Sequence, residues 1–133
     1  MKSITNLPFR IIFLLFITAF LASAQAEIVL TDASELIGSW KLNHTSPKLD
    51  GKKRPSSQEW EFRSDGTLVS TASDKRTKGT FTVSVPFEIT DGKIVTGVAG
   101  RPGKKVSYTL IKKRDHEMIL KGGADGFLFF TKQ

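Results

Sequence analysis

From Ser39 onward, apolar and polar residues alternate in short runs separated by turn residues, among them two Asp-Gly pairs. A period of two puts alternate side chains on opposite faces, so this pattern dictates half-buried strands rather than helices. Trp40 and Leu42 share one face of the first run. Gln58 to Arg63 alternates strictly, with Trp60 and Phe62 expected inward and Glu59, Glu61 and Arg63 in water. Ser64-Asp65-Gly66 and Asp91-Gly92 are hairpin turns, because glycine supplies the positive φ that a tight reversal needs. Between them lie Thr67 to Ala72, a polar turn from Ser73 to Lys78, and Gly79 to Val85 with Phe81, Val83 and Val85 on one face. Pro86 lacks an N–H and is expected to break the ladder before Phe87 and Ile89 resume it.

Lys93 to Thr96 follows, then a loop over 97–103, an alternating run at Val106, Tyr108 and Leu110, and a charged turn from Lys112 to His116. Glu117 to Lys121 and the aromatic run Phe127 to Lys132 complete about eight strands. Residues 44–57 are rich in Pro, Ser and Lys and are expected to form a long loop. One short helix is expected over Thr31 to Ile37, capped by Thr31 or Asp32 and stopped by Gly38. The chain has no cysteine, so packing and sheet hydrogen bonds must hold it together. The fold class is therefore all-β: an antiparallel up-and-down barrel of about eight strands with one short N-terminal helix, in which closure removes sticky edges. A β-sandwich is the alternative.

The beginning has a different character. Lys2 and Arg10 precede an apolar run from Ile11 to Ala22, and Ala24-Gln25-Ala26 has the small-x-small form of a cleavage site. Residues 1–26 thus read as a secretory signal peptide, with residues 27–133 as the working domain in the periplasm or medium. An uncleaved anchor is the other reading, but the run is short of the roughly 20 residues that span a bilayer. No cysteine offers a site for lipid attachment. The chain carries a net +7, and removal of Lys2 and Arg10 leaves +5. Lys52, Lys53 and Arg54 form one basic cluster with Lys48, Lys104 and Lys105 a second with Arg101, and Lys112, Lys113 and Arg114 a third. Such runs are either solvated turns or a surface for an anionic lipid or an acidic protein face. Nothing resembling a nucleic-acid recognition helix or stacking motif accompanies them.

Taken in order, a short helix, Gly38-Ser39-Trp40-Lys41-Leu42, Trp60-Glu61-Phe62, Asp65-Gly66-Thr67, Gly79-Thr80-Phe81 and Phe129-Phe130-Thr131-Lys132 resemble the compact bacterial lipocalin-like domains. The resemblance implies that Trp40 closes the barrel floor with Lys132 as its cover. It also implies a small apolar or amphipathic ligand held among Trp60, Phe62, Phe81, Phe87, Tyr108 and Phe129. Small barrels are also filled by their own side chains, and core packing is the other role for these aromatics.

No catalytic or metal constellation is visible. His44 and His116 lie far apart with no ligand spacing, no Gly-x-Ser-x-Gly elbow occurs, and Glu59 and Glu61 share a wet face where both stay ionised. The sequon Asn43-His44-Thr45 reads as chance. No cofactor and no metal is expected. The favoured expectation is an exported binding module. The alternative is a protein-interaction or inhibitor barrel that uses an extended arm at Glu27 to Thr31 and outward Leu128 and Phe130.

Overall fold

The computed structural model describes residues 27–133. The signal peptide expected over residues 1–26 lies outside them. Nine strands form one antiparallel sheet: β1 (Gly38–Ser46), β2 (Arg54–Pro55), β3 (Glu59–Phe62), β4 (Thr67–Ser73), β5 (Thr80–Thr90), β6 (Lys93–Val98), β7 (Arg101–Lys113), β8 (Glu117–Gly122) and β9 (Gly126–Lys132). Pairing runs from β1 through β3 to β9, and β9 returns to β1, which closes an eight-stranded barrel. The two-residue β2 is an extra strand laid on the far part of β1. The connections alternate between two ends of the barrel. Turns 63–66, 91–92 and 114–116 sit at one end, and segments 47–58, 74–79, 99–100 and 123–125 at the other.

The first end is plugged. Ile28 bridges to Leu110, the Leu30 amide donates to the Gly92 carbonyl at 3.1 Å, and Leu30 and Leu36 are buried beneath the strands. The helix expected over Thr31 to Ile37 is instead a turn, closed by the Leu36 amide on the Ala33 carbonyl at 2.9 Å. Asp32 does accept from the Ser34 amide, as a cap would. Leu36 is drawn under the barrel and β1 begins at Gly38, so no further turn has room to form.

Three other boundaries differ from expectation. Pro86 does not interrupt β5, because the strand changes partner there: Thr80 to Pro86 pair with β4, whereas Phe87 to Thr90 pair with β6. A missing N–H costs little where the ladder already passes from one neighbour to the other. The glycine-rich stretch 97–103 is mostly strand, with only Ala99 and Gly100 as the connection. The supposed loop from residue 44 begins with β1 itself, where Thr45 and Ser46 are buried.

The interior is a single cluster of Trp40, Trp60, Phe62, Leu68, Phe87, Ile94, Leu110, Met118, Leu120, Leu128 and Phe130 with the plug leucines. Gly126 lies where β9 leaves its hairpin beside β1. Its φ is +84°, and an added Cβ would stand 2.8 Å from the Ser46 carbonyl oxygen and 3.0 Å from the Pro47 Cα. Gly126→Ala should therefore lower unfolding free energy by about 1 to 3 kcal/mol, read from urea denaturation followed by tryptophan fluorescence.

Candidate functional site

Trp40 is fully buried, and its indole N–H donates to the Leu36 carbonyl at 2.9 Å. The Lys132 ammonium stands 4.7 Å from the ring centroid and donates to the Ile37 carbonyl at 2.9 Å. Lys113 approaches the same ring at 5.4 Å. Gly38 is what admits the lysine: a Cβ there would meet Lys132 Nζ at 2.8 Å. The spacing Gly38-Ser39-Trp40 thus makes a seat for a cation over an indole, and the floor is structural. Lys132→Met should cost about 1 to 2 kcal/mol by losing the cation–π contact and leaving a carbonyl unpaired, while Lys132→Arg keeps most of it. Thermal unfolding of the two variants side by side checks this.

Above the floor, Trp60 crosses the lumen. Its ring lies 5.6 Å from Tyr108, on the strand opposite in the ring of eight, 5.0 Å from Phe130 and 6.2 Å from Phe62, which in turn meets Phe87 at 5.1 Å. Trp60, Phe62 and Phe87 are buried and Tyr108 is half-buried, so these four expected binding residues fill the barrel with one another. Burial, and after it the Asp125 carboxylate, pushes the Tyr108 phenol above its ordinary range.

The two remaining members of that set are elsewhere. Phe129 faces outward and stacks on His44 at 4.3 Å, because β9 alternates without a break against β8 and the parity that sets Lys132 over Trp40 also turns Phe130 and Leu128 inward. Leu128 and Phe130 consequently point inward, and the arm at residues 28–30 is tied to the plug rather than free. Both structural premises of the inhibitor alternative are thereby corrected. Phe81 is on the inner face by register, opposite Ala72, yet 62% exposed, since β5 runs past the packed part of the barrel.

Val83 shares that exposure at 38%. Beside it an open cleft of about 390 Å³ separates β5 from the β6–β7 hairpin, lined by Val85, Pro86, Val98, Arg101 and Lys104 among others. It exists because β5 leaves β6 at Pro86 while β6 and β7 continue. This open end also gathers charge. Lys48, Lys52, Lys53 and Arg54 come from the segment before β3, Lys75, Arg76 and Lys78 from the β4–β5 turn, and Arg101, Lys104 and Lys105 from β7. The third basic cluster is at the other end: Lys113 turns toward Trp40, Lys112 pairs with Glu117 at 3.6 Å, and Arg114 lies in the closing turn. Lys75, Arg76 and Lys78 were legible only as a polar turn, since nothing local tells which end a turn occupies.

His44 sits on the outer face with its Nε2 buried and without a hydrogen-bond partner. Desolvation, and then Lys53, hold the imidazole below its usual 6.5. Proton uptake is therefore stronger in the unfolded chain, and stability falls as pH drops from about 7 through the window below 6.5. His44→Gln should remove that part of the slope, measured as unfolding midpoint against pH. Among the described residues no group of three or more His, Asp or Glu is placed to hold a metal, and no helix is long and apolar enough to cross a membrane. Comparison with protein-family models, with curated proteins and with solved structures finds no match for this chain.

Proposed function

We propose that this chain is an exported lipocalin-like binding protein that holds the apolar part of a small amphipathic ligand at the open end of its barrel. The observation that carries the reading is the cleft beside β5, where Val85 and Val98 lie next to Arg101 and Lys104 while Phe81 and Val83 remain in water. Apolar walls with a few convergent charges suit a ligand with a tail and a polar head. The deep interior is not the site in this reading, because Trp60 and Tyr108 close it off. Export rests on the charged, apolar and small-residue order of residues 1–26.

Native mass spectrometry of the protein isolated gently from its own host, with denaturing extraction of whatever leaves, tests both parts. The expected result is a chain beginning at Glu27 with a stoichiometric small molecule released on unfolding. Val98→Glu should abolish that mass while keeping the barrel folded, since it places a carboxylate against the cleft. Bare wild-type protein would overturn the ligand, and an intact Met1 the export.

A further inference from the structure

The charges of the described chain are not spread evenly. Its open-end segments, from Ser46 to Gln58, Ser73 to Thr80, Val98 to Lys105 and Lys121 to Gly126, hold eleven lysines and arginines against Asp50, Asp74 and Asp125. The rest of residues 27–133 holds seven cations against ten carboxylates. One end is therefore strongly positive and the remainder weakly negative, although the whole is only modestly basic. Among the described residues, the single ion pair at that end joins Lys105 to Glu88 at 3.7 Å, with both side chains largely exposed. The other cations face water without a carboxylate partner.

Amid this rim stand Phe81 and Val83, two of the three large apolar side chains most exposed in the described chain. They lie on β5 between the turn carrying Lys75, Arg76 and Lys78 and the hairpin carrying Arg101 and Lys104. An aromatic side chain standing in water within a field of unpaired cations matches an interface that is negative at its surface and apolar just beneath. An acidic protein face would satisfy the ring only with an apolar pocket placed in register with it, whereas an anionic bilayer has apolar depth beneath every headgroup. We infer that the open end of the barrel docks on an anionic lipid bilayer, with the basic rim on the headgroups and Phe81 entering the acyl boundary. The docking does not depend on a ligand in the cleft, so either proposal can fail alone.

The test is flotation of the host-isolated protein with vesicles of phosphatidylcholine alone or mixed with phosphatidylglycerol, at low and raised salt. The protein should rise with the mixed vesicles only, and added salt should release it. Each rim cation removed should weaken partition roughly fivefold, so Arg101→Ala with Lys104→Ala should cost about 25-fold. Arg114→Ala, at the plugged end, should cost nothing. Phe81→Ser should reduce partition, and in Phe81→Trp the added indole should be quenched by brominated acyl chains. Equal binding to neutral vesicles, no flotation, an Arg114→Ala loss equal to that of Arg101→Ala, or an unaltered Phe81→Ser would each overturn the inference.

Discussion

Everything in this molecule depends on the pairing of β1 with β9. Without it the nine strands would form an open sheet with two bare edges and an apolar face open to water, and the chain has no disulfide with which to compensate. The seam is made where Trp40 lies opposite Lys132 and Leu42 opposite Phe130. The same residues that complete the hydrogen-bond ladder also supply the floor and part of the core. Gly38 permits this by leaving space for the lysine. Edge closure, floor and core are therefore a single cooperative feature rather than three.

Closure of so small a ring leaves little to enclose. Trp60 reaches the opposite wall at Tyr108, and the plug leucines press up from below, so the lower barrel is solid. Freedom for function is pushed to the other end, where β5 and the β6–β7 hairpin extend beyond the packed layer and part company at Pro86. The division is physical: one end spends its apolar surface on stability, and the other leaves some of it in water.

Alternation made most strands legible, since Trp60, Phe62, Phe87, Leu110 and Leu120 all point inward as a period of two requires. The Asp-Gly turns were equally clear, with Asp91 and Gly92 both at positive φ. What escaped the sequence were features set at a distance. The slip near Asn43 carries His44 to the outer face beside Phe129, and no local pattern announces a bulge, whereas the inward facing of Phe130 and Leu128 follows from alternation once Lys132 lies over Trp40. Phe81 obeys alternation perfectly, yet burial depends on whether other strands extend as far as β5 does. The basic clusters were visible one by one, but their sorting into opposite ends needed the strand order.

The parting at Pro86 has another side. From Thr80 to Pro86, β5 is hydrogen-bonded only to β4, so one flank of backbone donors and acceptors is left without a strand partner. Such a flank invites a second copy to add itself as a strand. Lys75, Arg76, Lys78, Arg101 and Lys104 surround it with like charge, which makes the approach of another copy repulsive. The rim therefore acts as a guard on solubility as well, and a polyanion that neutralised it would expose the flank to self-association.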